Sequence, residues 1–204
     1  IWGETVKIFL AVCVIGLGLV GCSSKPIALP SNVSTIPSGM GESTYIDKID
    51  HSFIPEKVVN FSQIKLCAAS TFTNDAIILK DNAGSFLGAY TGNYYQKHNT
   101  QQVAGGNIFK FVDDQNQTLV ATGNKKTRAQ QGGSIVDYIK YDAKVILSNN
   151  NIRIVFQNLQ AAQQSTGSSS NDGFRSIGTW PGARAPAAIE TINVVATSFK
   201  SCLN

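Results

Sequence analysis

The stretch SIVDYIKYDAKVILSNNNIRIVFQNL, residues 134–159, decides the fold of this chain. In its first half, apolar residues recur at every second position, which is typical of a β-strand with one buried face. That face carries Ile135, Asp137, Ile139, Tyr141, Ala143, Val145 and Leu147. A second apolar run follows Asn149 and Asn150, two residues that suit a tight turn. The stretch therefore predicts a long antiparallel hairpin.

Shorter strands are predicted upstream of this hairpin. DAIILKDNAG (75–84) and SFLGAYTGNYYQ (85–96) alternate at period two, and we expect them to pair across the Asp-Asn-Ala-Gly sequence that ends the first run. A second hairpin is predicted around the polar turn 113–117. Residues 46–59 predict an edge strand, because Pro55 cannot donate to a strand ladder. Together these segments predict an antiparallel meander of about six or seven strands.

Two helices are predicted at the ends of the strand region. Asn60 and Gln63 form a capping-box pattern ahead of an apolar face with helical spacing, which predicts a helix over 61–72. Residues 186–202 repeat apolar positions at three and four, and Pro186 suits a first helical turn. Because a bare sheet face must be covered, we expect both helices to pack on one face of an α+β domain spanning 45–204.

The first residues of the chain predict export. Residues 8–21 are uncharged and apolar, but a membrane-spanning helix needs about 20 residues, so residues 1–21 fit a signal peptide better. They end in Leu19-Val20-Gly21-Cys22, which resembles the lipobox of bacterial lipoproteins. The resemblance implies cleavage before Cys22, fatty acyl chains such as palmitate on Cys22, and, since Ser23 and not Asp follows, the outer membrane.

Residues 22–44 contain the lipidated Cys22 and a stretch rich in Pro, Ser and Gly. No apolar period runs through this segment, so it predicts a flexible tether that ends near Tyr45. A coil of this length has a root-mean-square reach of about 25 Å. Such a tether would hold the domain away from the lipid headgroups.

Cysteine usage follows from the same processing. Cys13 would leave with the signal peptide and Cys22 would carry lipid, so Cys67 and Cys202 remain. In an oxidising compartment these two can form one disulfide, which would join the first and last helices. The alternative is two free thiols buried as small apolar side chains.

Three segments resemble one family of bacterial lipoproteins. They are the helix and strand of Ser62–Gly88, the hairpin of Tyr138–Leu159 and the closing helix. The family carries a small domain of unknown function with a TATA-binding-protein-like fold, and the resemblance covers residues 46–204. It implies that fold but no role with nucleic acid, because a fold does not carry a function. The mild net charge of +4 also does not favour nucleic acid as a partner.

The candidate binding residues are basic or aromatic. Lys125, Lys126 and Arg128 form the one basic cluster, which is either a contact for anionic headgroups or a solvated hairpin loop. Trp180 is either a flap over the core or an exposed anchor for a partner. A further aromatic set lines either a binding face or cross-strand pairs within the sheet. Its members are Tyr90, Tyr94, Tyr95, Phe109 and Phe111.

The sequence predicts neither a metal nor another cofactor. His51 and His98 have no cysteine at ligand spacing, and no nucleophile motif accompanies them. We therefore expect a non-catalytic, lipid-anchored outer-membrane lipoprotein whose periplasmic or surface domain binds another envelope component. The alternative is an envelope enzyme or enzyme inhibitor that uses the long polar loop at 160–185, since loops of this length are often functional.

Overall fold

The structure is a computed structural model that describes residues 27–39 and 41–204. The predicted signal peptide 1–21 and the lipidation site Cys22 lie outside the described residues. Among those residues there are eleven strands and two helices. The strands are β1 (Val33–Pro37), β2 (Thr44–Phe53), β3 (Ile77–Asp81), β4 (Phe86–Leu87), β5 (Tyr94–Tyr95), β6 (Asn99–Val103), β7 (Phe109–Asp113), β8 (Thr118–Lys126), β9 (Asp137–Ser148), β10 (Asn151–Gln163) and β11 (Arg175–Ser176). The helices are α1 (Phe61–Thr71) and α2 (Ala185–Leu203).

Within the described residues, seven strands form one antiparallel sheet, and the α+β fold class is confirmed. The strand order is β1-β2-β10-β9-β8-β7, and β11 pairs with β10 beside this path. Strands β7 to β10 are the predicted meander. Strand β2 joins the sheet next to β10, so the chain crosses from one edge region to the other through α1 and the segments before β7.

The long hairpin of β9 and β10 is confirmed and forms the centre of the sheet. Asn149 and Asn150 both adopt positive φ, 49° and 59°, which is the backbone that a tight two-residue hairpin turn requires. The predicted inner face of β9 is buried from Asp137 to Leu147 at every second residue. Long-range pairing and one-sided burial therefore agree with the sequence periodicity.

Both helices cover that inner face. The Asn60–Gln63 capping box begins α1, with both reciprocal hydrogen bonds present. Phe72, directly after α1, stacks on Phe199 of α2 with ring centroids 5.4 Å apart and meets Tyr141 of the sheet edge-on. Helices and sheet thus share one aromatic centre in the hydrophobic core.

The Cys67–Cys202 disulfide is present and joins α1 to α2, with Cα atoms 5.8 Å apart. This confirms the predicted pair. The helical spacing of the apolar residues predicts that Cys67 and Cys202 each lie on the buried face of their helix. This prediction is wrong for Cys202, which is exposed, whereas Cys67 is buried. The reason is the phase of the last helical turn, since Phe199 and Leu203 occupy the buried positions and leave Cys202 on the side facing α1.

The predicted flexible tether over 22–44 is wrong for the described part of that range, and the domain does not begin at Tyr45. Strand β1 pairs with β2 from Val33 to Pro37. Further upstream, the Ile27 N–H donates to the Thr179 carbonyl at 2.9 Å, and Ile27 packs against the core. Composition alone predicts a coil here, because β1 has no apolar pattern of its own. The strand is stabilised by its pairing with β2.

The predicted edge strand within 46–59 is also wrong. Strand β2 lies between β1 and β10 and ends at Phe53, before Pro55 can interrupt the ladder. The stretch that looked like a tether supplies the real edge strand, β1. An inner position for β2 follows because both of its backbone edges then find partners.

The predicted hairpin between 75–84 and 85–96 is wrong in its pairing. Strand β3 pairs with β6, and β4 pairs with β5, so the chain reverses between Leu87 and Tyr94. Ile77 and Leu79 of β3 pack on Ala162 of β10 in a small second core. Val103 of β6 packs against the same small core, so β3 and β6 are buried together, a pairing that alternation alone does not encode.

Candidate functional site

The four predicted binding residues line two neighbouring concavities that share Arg128. The first, the Trp180 cleft, has a volume of about 490 Å³ and is lined by Trp180, Arg128, Arg184, Ile27 and residues of the first turn of α2. The second, the basic groove, has a volume of about 190 Å³ and is lined by Lys125, Lys126, Arg128, Glu190, Thr191 and Val194. The structure therefore brings all four residues to one continuous surface.

Trp180 is half-buried at the side of its cleft. Its ring meets Tyr45 edge-on with centroids 5.7 Å apart. On the other side it lies over Gly178, where a Cβ atom would come within 2.3 Å of the indole. Trp180 is thus held by contacts on both sides, and it also lines the cleft. It combines the two roles that the sequence left open, a cover over the fold and an accessible aromatic surface.

Arg184 and Asp137 form a bidentate ion pair beside the cleft. The Arg184 Nε donates to Asp137 Oδ2 at 2.7 Å and its Nη2 donates to Oδ1 at 2.9 Å. The Asp137 side chain is 3% exposed, and Gln130 donates a third hydrogen bond to it. Arg184 adopts φ 63°, a left-handed backbone, immediately before α2. The paired guanidinium holds this uncommon conformation in place and with it the start of the helix.

The basic groove runs along the end of β8 and one side of α2. Lys125 and Lys126 are the exposed final residues of β8, so they do not belong to a hairpin loop. Arg128 is 74% exposed, and its Nε lies 2.9 Å from the Oε2 of Glu190 of α2, an ion pair. The Lys126 ammonium lies 5.5 Å from the centroid of the Tyr138 ring. Three accessible cations therefore face one accessible carboxylate on this surface.

A second candidate surface is the aromatic hairpin, which we define as residues 86–95. Its exposed apolar side chains are Phe86, Leu87, Tyr90, Tyr94 and Tyr95. Phe86 and Tyr95 stack across the strand pair with ring centroids 5.0 Å apart. The sequence had grouped the three tyrosines with Phe109 and Phe111, which lie on β7 instead, and Phe109 packs against the main core.

Sequence reasoning missed Phe86 and Leu87, although they stand only a few residues before the tyrosines. The signal that could have found them is the two-residue match Phe86–Leu87 against Tyr94–Tyr95 around a Gly- and Thr-containing reversal. The predicted pairing of 75–84 with 85–96 places these residues in a strand ladder and not at the tip of a hairpin.

A polar site that the sequence did not indicate lies on the sheet face opposite the helices. Asp142 is buried there and accepts from Lys110 Nζ at 2.6 Å and from Asn158 Nδ2 at 2.8 Å. Burial raises the pKa of Asp142, but these hydrogen bonds and the Lys110 charge outweigh it and hold the pKa below its ordinary value. Asn158 adopts φ 54° at the point where the β9–β10 register shifts. A β-bulge therefore positions the Asn158 amide that donates to Asp142.

The predicted loop 160–185 begins too early, because β10 continues to Gln163 after its register shift. The remaining loop is tied to β3. Asn171 donates from its backbone to Asp81 and from its side chain to the Lys80 and Gln163 carbonyls. The most polar part of the loop thus covers strand ends and satisfies their backbone groups.

The described part of the chain gathers no three His, Cys, Asp or Glu side chains at a spacing that could hold a metal ion. His51 lies half-buried on the inner face of β2, edge-on to Phe156 with centroids 6.0 Å apart. His98 is exposed beside β6. Neither described helix has the length and apolar character that crossing a bilayer requires.

No protein-family model matches the chain, and no curated protein matches it. Among solved structures, the chain is similar to a DUF4468 family protein from Bacteroides ovatus. The two share 12% sequence identity, and the similarity covers 83% of this chain and 85% of the other, with a TM-score of 0.38.

Proposed function

We propose that the chain is a non-catalytic lipoprotein of the bacterial cell envelope, anchored in the outer membrane through acyl chains on Cys22, and that its domain binds another envelope component. The observation that carries the binding role is the aromatic hairpin. The lipobox-like Leu19-Val20-Gly21-Cys22 carries the anchor. The TATA-binding-protein-like family remains part of this proposal on the order of helix, meander, long hairpin and closing helix.

The aromatic hairpin has the properties of a protein-binding surface. Leu87 is 67% exposed and Tyr90 is fully exposed, while the Phe86–Tyr95 stack limits the freedom of both rings. Clustered apolar side chains on a soluble surface commonly mark an interaction site. Tyrosines are frequent anchors in such sites because they bury a large area with few rotatable bonds. The hairpin therefore offers a partner a large apolar area, part of which is already ordered by the stacked rings.

The ionisable groups of the concave sites support binding over catalysis. Asp137 is engaged by Arg184, and Asp142 by Lys110. A general base needs a free lone pair near its substrate, and a nucleophile needs such a base beside it. Charges that neutralise one another in pairs instead fix the positions of strands and helices.

Site-specific photo-crosslinking in intact cells tests the binding role. A photoreactive amino acid at position 94 should give one protein adduct of defined size, and Leu87→Ser together with Tyr90→Ser should abolish it. The matched control carries the photoreactive residue at position 144, an exposed site on β9. An equal adduct from position 144, or an adduct that survives the two serine substitutions, would contradict the proposal.

The anchor has its own test. Labelled palmitate should enter the wild-type chain, and Cys22→Ala should lose the label and leave the membrane fraction. Label in both proteins would show that Cys22 is not the acylated residue.

A further inference from the structure

Ile27 fixes the place where the chain enters the domain. Its N–H donates to Thr179, the neighbour of Trp180, and its side chain lines the Trp180 cleft. Leu29 and Val33 follow and also pack against the core. From Ile27 onward the chain is therefore attached to the fold beside Trp180.

This attachment limits how far the domain can stand from an anchor at Cys22. Ile27 follows Cys22 by five positions. A fully extended chain spans at most about 3.6 Å per residue, so five residues reach no further than roughly 18 Å. If Cys22 is acylated, the Trp180 side of the domain must stay within that distance of the lipid surface. The 22-residue tether expected from composition would have imposed no such orientation.

The surface held at that distance has the chemistry of a headgroup contact. Lys125, Lys126 and Arg128 are exposed, and the accessible carboxylate among them is Glu190. Asp137 is covered by Arg184 and therefore adds little negative potential at this surface of the protein. Exposed Lys and Arg are attracted to anionic lipid surfaces. Each such residue raises the partitioning of a protein onto the surface about fivefold. Tryptophan is enriched at the same depth, where its ring is apolar and its N–H meets water.

We propose that the Trp180 cleft and the basic groove together form the membrane-facing surface of this domain and bind the phosphate groups of lipid headgroups that carry a net negative charge. The inference rests on the proposed anchor at Cys22. It assigns the four residues Lys125, Lys126, Arg128 and Trp180 one shared role, which is to orient the domain on the bilayer.

The orientation can be tested in vitro, without acylation in cells, because a shortened chain has a single free thiol for coupling and a single tryptophan for detection. In a chain that starts at residue 22, Cys22 is the one free thiol, because Cys67 and Cys202 are bonded to each other. Trp180 is the one tryptophan of that chain. Cys22 can be coupled to a maleimide lipid in vesicles of phosphatidylcholine with or without phosphatidylglycerol, and Trp180 fluorescence can be quenched by a lipid that carries its quencher near the headgroup.

We expect at least threefold stronger quenching of Trp180 in phosphatidylglycerol vesicles than in phosphatidylcholine vesicles. The triple variant Lys125→Ser, Lys126→Ser and Arg128→Ser should lose this difference. A matched variant with the same charge change, Lys48→Ser, Lys57→Ser and Lys144→Ser, should keep it. Equal quenching in wild type and triple variant, or an equal loss in the matched variant, would overturn the proposal.

Two further outcomes separate the possible failures. If millimolar inorganic phosphate removes the quenching at constant ionic strength, the surface takes free phosphate, and the lipid assignment is overturned. If palmitate labelling of Cys22 fails in cells while the coupled chain behaves as expected, the anchor and the orientation in the cell are overturned, but the phosphate-binding chemistry of the surface stands.

Discussion

Cys67, buried on α1, is bonded to Cys202, which is exposed in the last turn of α2, across a sequence separation of 135 residues. The bond closes the part of the domain from α1 to α2 into one loop. Both helices lie on the same sheet face, so the bond also holds α2 beside α1 where Phe199 and Phe72 stack. Because Cys202 is exposed, reductants can reach the bond from solvent.

Reduction should destabilise the domain strongly. The chain-entropy estimate for a loop longer than 100 residues is about 5 kcal/mol in the free energy of unfolding, an upper value. We expect dithiothreitol to lower the thermal midpoint and to speed amide exchange first in the last turns of α2. The Cys67→Ala/Cys202→Ala double variant should start at the lower midpoint and not respond to dithiothreitol. A midpoint that reduction leaves unchanged would contradict this prediction.

Breaking the Asp137–Arg184 pair should be costly, because Arg184→Met leaves a buried carboxylate without its cation. We expect a loss of about 3 kcal/mol in urea unfolding. Adding Asp137→Asn should recover part of that loss, since it removes the uncompensated charge. The exposed Asp50–Arg153 pair is the control, and Arg153→Met should cost less than about 1 kcal/mol. Equal losses for the two arginines would rule out a special role for Arg184.

His51 should make the domain less stable in mild acid. Burial lowers the pKa of His51 below its ordinary value of 6.5, an effect that the nearby Asp50 and Asn193 only partly oppose. The unfolded chain then binds a proton at a higher pH than the folded chain does, so stability falls as the pH drops below about 6.5. Urea unfolding between pH 7.5 and 5 should show a smaller decline for His51→Gln than for wild type. The exposed His98→Gln serves as the control and should retain the wild-type decline.

Truncation distinguishes an ordered N-terminal strand from a tether. A chain beginning at residue 27 should fold, and limited proteolysis of longer forms should stop before that residue. A chain beginning at Tyr45 loses β1 together with the apolar contacts of Ile27, Leu29 and Val33, which amounts to about 3 kcal/mol. It also exposes the backbone edge of β2, which favours aggregation. Stable, monomeric behaviour of the chain from Tyr45 would show that β1 is dispensable.

Gly178→Ala should displace Trp180, because the added Cβ would lie 2.3 Å from the indole ring. We expect a loss of about 1–3 kcal/mol in stability and a red-shifted Trp180 fluorescence spectrum in a chain that starts at residue 22. Gly106→Ala is the control, since the nearest atom to its new Cβ is 3.9 Å away. An unchanged spectrum for Gly178→Ala would mean that the indole can move aside without losing its environment.

Several elements of this protein could be read from the sequence because their causes are local. The Asn60–Gln63 box encodes the start of α1 within three residues, and Asn149–Asn150 encodes the turn of the long hairpin. Apart from Asp142, which is buried on the opposite face, strand β9 alternates in burial because one of its faces meets the helices. The cysteine pair followed from the count of thiols and from the apolar face of α1. Each of these inferences depends on neighbours in the chain or on a periodicity that burial imposes.

Other features were decided only by tertiary structure. Strand β1 has no apolar pattern and exists because β2 offers it a free edge. Strand β3 pairs with β6 where Val103 of β6 joins Ile77 and Leu79 in a small core against a distant strand. Arg128 and Trp180 share a cleft because Asp137 holds Arg184 and the first turn of α2 between them. Such contacts join residues far apart in sequence, and their free energy depends on which surfaces the fold brings together, a quantity that no local stretch of the chain contains.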